Sequence, residues 1–319
     1  MPRLFLTVFT LLFATAAAAQ DWPTKQVHLV VPFSAGGFAD SSTRAISERL
    51  SARLGQPVVI ENRVGASGNI GAEAVAKAVP DGHTLLIGFD GAMVINPHVF
   101  ARMPVDTLRD FAPVTKLGDA AVIACAHPSV PAKDLRELIA LAKAKPGTLS
   151  YGTSGTGGTP HLVGEMINQR AGTDFLHIPY KGGSQAVGDA VGGQIPLVFT
   201  AIASAGQFIR AGKLKALAIT STARVAALPD VPTFIESGLP DFVVNSWIGV
   251  FAPVKTPRPV VQKLQREIAA VLKDPAVKER FAVLGIEPVG NTPEEYEAQV
   301  RADFALWEGV VKKAKIRIE

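Results

Sequence analysis

His28-Leu-Val-Val-Pro-Phe33, followed by Ser34-Ala-Gly-Gly-Phe-Ala-Asp40, decides the fold. A β-branched apolar run bounded by turn residues reads as a buried strand. Ile46, Leu50 and Leu54, closed by Gly55, mark a helix that should begin at about Ser41. The same plan returns in Leu149-Ser-Tyr-Gly152, then Thr153-Ser-Gly-Thr-Gly-Gly-Thr159, then a helix from Pro160. A helix start leaves backbone N–H groups unpaired and partly positive, and glycines let an anion approach them. Two such loops predict two anion grips.

Residues 58–61, 84–88, 175–179 and 195–199 read as further strands, and 70–78 and 185–191 as helices that follow the glycine turns Gly65-Ala-Ser-Gly68 and Gly182-Gly-Ser184. Each half therefore runs β-loop-α-β-loop-α-β. That order predicts an α/β protein of two like lobes, each a sheet flanked by helices with its first glycine loop at the carboxyl end of a strand, where such sheets bind ligands. Near the C-terminus, Thr256-Pro257 and Thr292-Pro293 each read as a helix cap, and Glu295 completes a capping box with Thr292. Val261, Leu264, Ile268 and Leu272 form one apolar face; Tyr296, Val300, Phe304, Trp307 and Val311 form another. Both read as packing stripes.

Arg3, the apolar run 4–13 and Ala17-Ala-Ala19 read as a secretory signal of residues 1–19, cleaved after Ala19. Removing 19 residues from 319 leaves 300, enough for two domains. The expectation is a soluble, exported, periplasmic monomer. The lone Cys125 lies in an apolar stretch and reads as a buried thiol. The formal charge is +4, with basic residues scattered rather than striped among aromatics, which argues against nucleic acid. Gly152-Thr-Ser154-Gly-Thr156 does not complete a nucleophile elbow, no lysine follows a glycine loop in Walker fashion, and the six histidines lack metal-ligand spacing. No cofactor, metal or catalytic group is predicted, and the positive signals all concern holding a ligand.

An ordered set of motifs resembles the exported solute receptors of the tripartite tricarboxylate transporter family, the Bug receptors. It includes Trp22-Pro-Thr-Lys25, Val30-Val-Pro-Phe33 with Gly36-Gly37 and Asp40, Leu54-Gly-Gln-Pro-Val-Val-Ile-Glu-Asn-Arg63 and Gly68-Asn-Ile-Gly-Ala72. Pro80-Asp-Gly-His-Thr-Leu-Leu86, Asp110-Phe-Ala-Pro-Val114, His177-Ile-Pro-Tyr-Lys-Gly182, Gly212-Lys-Leu-Lys-Ala216 and Leu228-Pro-Asp-Val-Pro-Thr233 continue it along the whole mature chain. The resemblance implies a type II-like Venus-flytrap binding protein with two crossover strands, a small organic carboxylate in the cleft and an integral-membrane permease as partner. The crossovers are expected through 114–126 and 243–251. Lobe I would then comprise 20–120 and 245–319, and lobe II 121–244. Ala35, Phe38, Ala39, Val64 and Ser67 depart from the family's common residues, and Phe38 is bulky for its place.

The expected pincer sets Phe33, Ser34, Gly36, Gly37 and Phe38 of the first lobe against Ser154, Gly155, Gly157, Gly158, Thr159 and His161 of the second. Several members have duller alternatives. Asp40 is either a site residue or a helix cap, and Asp90 either meets a ligand amine or caps a turn. Thr159 is a donor or a plain cap, and His161 a donor or a structural ring that the helix start keeps neutral. Tyr180 and Lys181 either line the cleft or face solvent. Two rival outputs remain: a carboxylate sensor for a two-component system, and a periplasmic hydrolase in which Ser154 and His161 are the nearest nucleophile–base candidates.

Overall fold

A computed structural model describes residues 22–314; the predicted signal segment lies outside the described residues. Ten strands carry the architecture: β1 (Val27–Val31), β2 (Val58–Asn62), β3 (Thr84–Phe89), β4 (Phe111–Ala126), β5 (Ser150–Thr153), β6 (Leu176–Pro179), β7 (Leu197–Ala201), β8 (Lys215–Ile219), β9 (Asn245–Pro253) and β10 (Ile286–Pro288). Their path is β2-β1-β3-β9-β4-β7-β5-β6, with β8 and β10 also paired to β4.

The long strand β4 joins two sheets. Its residues from Phe111 to Ala121 pair antiparallel with β9, and those from Val122 to Ala126 pair with β7. Asn245, where β9 begins, lies opposite Ala121, so both connections pass between the sheets at one level. The predicted crossovers are thus found, with β4 starting three residues earlier and β9 two residues later than expected. In the first lobe β1 pairs parallel with β2 and β3; in the second, β5 pairs parallel with β6 and β7. The helices Phe38–Leu54 and Thr159–Ala171 are the crossovers of these parallel units.

Both faces of each sheet are covered, which is why its central strands read as continuous apolar runs. In the first lobe, Leu29, Ile87 and Val250 pack with Ile46, Leu50, Leu264 and Ile268 on one face. Leu86 and Phe251 pack with Val94, Tyr296 and Val300 on the other. The second lobe buries Tyr151, Val163, Ile167 and Phe199 on one face and Ile123, Cys125, Val198 and Ile219 on the other. The C-terminal helices Arg258–Leu272 and Pro293–Ala314 place their apolar stripes in the first lobe's cores, as their spacing predicts. Thr292 and Glu295 form the expected capping box, through bonds of 2.9 and 3.2 Å. Burial pushes the Cys125 thiol well above its ordinary pKa, as befits a structural cysteine.

Candidate functional site

The first loop turns at Gly36, whose φ of +76° belongs to the left-handed region that favours glycine. Gly37 then caps the helix through its backbone alone, so the helix starts at Phe38, three residues before the predicted Ser41. Asp40 therefore lies inside the first turn and is buried. Its Oδ2 accepts the Gly36 N–H and the Arg44 Nε–H, each at 2.8 Å, and its Oδ1 accepts the Asn62 amide at 3.0 Å. Burial pushes its pKa up, but the bonds from Arg44, Gly36 and Asn62 outweigh that and hold it below the ordinary carboxylate value. Both oxygens face into the first lobe, where the carboxylate braces the loop from behind.

The second loop is held by two histidines. Nδ1 of His161 accepts the Gly157 N–H at 3.1 Å, so that nitrogen carries no proton. The His177 ring stacks on His161 with centroids 3.9 Å apart, and its Nε2 meets the Thr153 hydroxyl at 2.7 Å. That hydroxyl gives its proton to the Gly155 carbonyl at 2.8 Å, which leaves it the acceptor from His177. Burial pushes His161 down to about 4; burial, with His161 alongside, pushes His177 down to about 3. His161 is neutral, as expected at a helix start, but burial is the governing cause.

This loop also docks on the opposite lobe. The Thr156 N–H reaches Ser67 Oγ at 3.1 Å, and a Cβ built on Gly157 would stand 2.8 Å from Asn96 Oδ1. The Thr159 hydroxyl donates to Asp90 Oδ2, while Asp90 Oδ1 accepts from Ser246 Oγ at 2.9 Å and from the Gly91 N–H at 2.7 Å. Gly158, rather than Thr159, is the N-cap of its helix, and Gly91 approaches it closely enough that a Cβ on Gly91 would meet Gly158 Cα at 2.7 Å. Asp90 thus caps its turn and ties the lobes together. Burial pushes its pKa up to about 7 against the pull of those three hydrogen bonds.

Between the loops lies a narrow cavity of about 30 Å³. Of the predicted residues, Phe33, Gly37, Phe38 and Ser154 line it. Ser34 closes one side by bonding Ser184 Oγ at 2.9 Å across the cleft, and Ser184 in turn donates to the Ala35 carbonyl at 2.7 Å. Gly155, Tyr180 and Lys181 instead border a separate surface cavity beside Ser67. The Tyr180 hydroxyl donates to Asp189 at 2.8 Å, and Lys181 is exposed. Phe89, Gly183, Thr200, Ser204 and Ser246 also line the central cavity, and the sequence reading did not place them there. Two had visible signals: Gly183 belongs to the noted turn Gly182-Gly-Ser184, and Thr200 closes an apolar strand just as Thr153 does.

Among the described residues, none that lines this cavity is charged. Its polarity comes from the starts of four helices, Phe38–Leu54, Thr159–Ala171, Gly183–Val191 and Ile202–Arg210, each contributing a first-turn residue to the wall. None of the four has a side-chain N-cap bond, so their first-turn N–H groups, which Pro160 alone lacks among the first-turn residues in the wall, are left for a guest. Wider grooves of about 610 and 750 Å³ flank the crossover strands, and the one helical turn that starts at their edge, Gly91–Ile95, is already capped by Asp90. An uncharged cleft ringed by helix N-termini is suited to an anion that must later be released.

Known proteins share this fold. Residues 42–316 match the tripartite tricarboxylate transporter family receptor model. Protein BugT of Bordetella pertussis is 35% identical over 325 residues, covering 100% of this chain and 99% of its own. An R. palustris protein whose structure holds adipate superposes with a TM-score of 0.91 at 36% identity, covering 93% of this chain and 100% of that one. MatC of Rhodopseudomonas palustris, with bound malate, gives 0.86 at 34%, covering 91% and 100%. The fold is that of the two-lobed, type II-like periplasmic binding proteins. The chain belongs to the tripartite tricarboxylate transporter receptor family and is a solute-binding receptor, not an enzyme. The hydrolase alternative also fails on geometry, since the ring nitrogen His161 would need as a base is engaged by Gly157.

Among the described residues, no helix is long and apolar enough to cross a membrane.

Proposed function

We propose that the protein is a periplasmic receptor, exported by a signal cleaved near Ala19, that binds a small organic carboxylate between its lobes. It passes that ligand, as a monomer, to the permease of a tripartite tricarboxylate-type transporter. The carrying observation is the convergence of four uncapped helix starts on one uncharged cleft. The carboxylates held by two relatives support it.

The first lobe (20–120 and 245–319) contributes Phe33, Ser34, Gly36, Gly37 and Phe38, and the second (121–244) contributes Ser154. Gly155, Gly157, Gly158, Thr159 and His161 act by setting the second jaw rather than by touching the ligand. Asp40 and Asp90 are braces; Tyr180 and Lys181 border the rim. The cavity is narrow and bridged by contacts between the lobes, so the lobes part to admit a guest. A ligand that bonds both lobes favours closure by its differential affinity for that form, and the permease reads the closed surface.

A thermal-shift and calorimetry screen of aliphatic, hydroxylated and aromatic carboxylates, with neutral sugars as controls, tests this reading. A carboxylate should raise the melting temperature with micromolar or tighter affinity. A response to sugars alone would overturn it.

A further inference from the structure

The chemistry of the cavity wall goes further than the family's general ligand class. At one end stands an unsatisfied polar seat. Ser204 is 4% exposed and its Oγ has no hydrogen-bond partner, although it borders the cavity. Thr200 lies beside it: a Cβ on Gly183 would stand 2.8 Å from Thr200 Oγ1 and 3.0 Å from Ser204 Oγ. Gly183 begins a nine-residue helix whose cap, Gly182, offers no side chain, so its first-turn N–H groups are free. Gly37 faces them from the other lobe, its own Cβ position 3.8 Å from the Gly183 nitrogen and 3.9 Å from that of Ser184. The second helix start at this seat, Ile202–Arg210, is also uncapped by any side chain and supplies Ser204 itself. Two unpaired N–H rows and two hydroxyls match the acceptor oxygens of one carboxylate.

Most of the remaining wall is apolar, with Ser154 and Ser246 its other polar side chains. Phe33 meets Phe89 edge-to-face at 5.4 Å, and Phe38 meets the same ring edge-to-face at 6.3 Å. Val122 and Pro160 continue this wall. Three aromatic rings set edge-to-face favour a flat apolar guest. A hydroxyl or amine set against these three rings would be buried there without a partner. The far end is poorer in donors for a second anion. Pro160 lacks an N–H, the hydroxyls of Thr159 and Ser246 are both donated to Asp90, and that carboxyl group would repel another.

We propose that Thr200, Ser204 and the start of helix Gly183–Val191 seat a single carboxylate, and that Phe33, Phe38 and Phe89 select a flat, apolar body for it: an aromatic monocarboxylate. The inference rests on the reading of the cleft as a carboxylate site. Apolar walls discriminate against an added hydroxyl by about a hundredfold at most, which sets the scale to look for.

Titration calorimetry of the mature protein with benzoate, adipate and L-malate tests it. Benzoate should bind, with adipate and L-malate about a hundredfold weaker. Thr200→Val and Ser204→Ala should each weaken benzoate at least tenfold, and Phe38→Ser should narrow the gap between benzoate and L-malate. Ser204→Ala removes a hydroxyl that no protein group satisfies, so it should not lower the ligand-free melting temperature; that separates lost binding from lost folding. Adipate or L-malate binding as tightly as benzoate would overturn the inference and leave the receptor reading intact. Unchanged benzoate affinity in both seat variants would also overturn it. Failure of all three carboxylates, and of every other carboxylate in the screen, would remove both.

Discussion

His161 stacks on His177, with ring centroids 3.9 Å apart and planes inclined by 24°. Two imidazoles so close cannot both carry charge, and neither is solvated well enough to carry it alone. The pair keeps the loop from Thr153 to Gly158 rigid while both rings stay neutral.

Acid should therefore loosen the second lobe before it loosens the first. Both folded pKa values lie below the ordinary 6.5, at about 4 and about 3. In the window between, the unfolded chain binds more protons than the folded one, so stability falls as pH falls. The contribution is complete above 6.5 and is lost on the way down to pH 4, on the order of 3 kcal/mol for His161 alone. Glu165, whose Oε1 lies 3.8 Å from His161 Nε2, softens the loss by favouring the charged ring. Melting temperatures from pH 8 to pH 4 should show this fall, and His161→Asn, which keeps an acceptor for Gly157, should flatten it. An unaltered pH profile in that variant would refute the assignment.

Asp90 works in the opposite direction. Its folded pKa of about 7 lies above the ordinary 3.8, so its contribution is fully present below 3.8 and is lost as pH rises through 7. Above that point a carboxylate is held in the dry seam between Thr159 and Ser246. Asn at this position can still accept from Gly91 and Ser246 and donate to Thr159. Asp90→Asn should accordingly raise the melting temperature at pH 8, by roughly 1–3 kcal/mol of stability, and leave it unchanged at pH 4. Equal destabilisation at both values would show that the charge itself is needed.

What could be read from the sequence follows from how local each signal is. The runs before Gly36 and Gly152 and the helices after them are visible because strand, turn and helix start lie within a dozen residues. The crossovers lie within three residues of the apolar runs 114–126 and 243–251, which the family resemblance, calling for two such strands, assigns to them. The seat at Thr200 and Ser204 was not foreseen, because sheet order decides which strand end meets the cleft, and β7 lies beside β4 through pairing across about 75 residues. The engagement of the second loop by Ser67, Asn96 and Asp90 is likewise a contact between lobes that no spacing announces. The misplaced helix start had another cause. Asp40 looks like a cap from sequence, yet it reaches back to Gly36 from inside the first turn. A local signal of the same kind stands at Asp134, which caps the helix Leu135–Ala144 by accepting the Glu137 N–H at 2.8 Å.

Gly157 and Gly172 share positive φ, +85° and +63°, but not surroundings. A side chain at either should cost about 1 kcal/mol in backbone strain. At Gly172 nothing lies within 4 Å of the added carbon, whereas at Gly157 it meets Asn96 of the other lobe. Gly157→Ala should thus lower ligand affinity well beyond its effect on the melting temperature, while Gly172→Ala should lower the melting temperature alone. Calorimetry of both variants checks this, and equal affinities would show that the Gly157 contact does not bear on closure.

The brace behind the first loop offers a test in which exposure decides the outcome. Asp40 is buried and accepts three hydrogen bonds, while its ionic partner Arg44 is half exposed. Truncating the buried acceptor to Ala leaves the Gly36 N–H and one N–H of the Asn62 amide unpaired, the other still donating to the Phe33 carbonyl at 2.9 Å, at a cost of about 1–3 kcal/mol. Truncating the exposed partner removes a pair worth about 0–1 kcal/mol, since water replaces it. Asp40→Ala should lower both stability and ligand affinity, because Gly36 then loses the bond that aims its turn at the cleft. Arg44→Gln should change neither by much. The folded pKa of Asp40 lies below 3.8, so its contribution is present above that value and fades only in stronger acid; the difference between the two variants should hold at pH 5 as at pH 8. Chemical denaturation at the two pH values, with affinities measured alongside, decides it: if Arg44→Gln proved as costly as Asp40→Ala, the ion pair rather than the backbone brace would hold the loop.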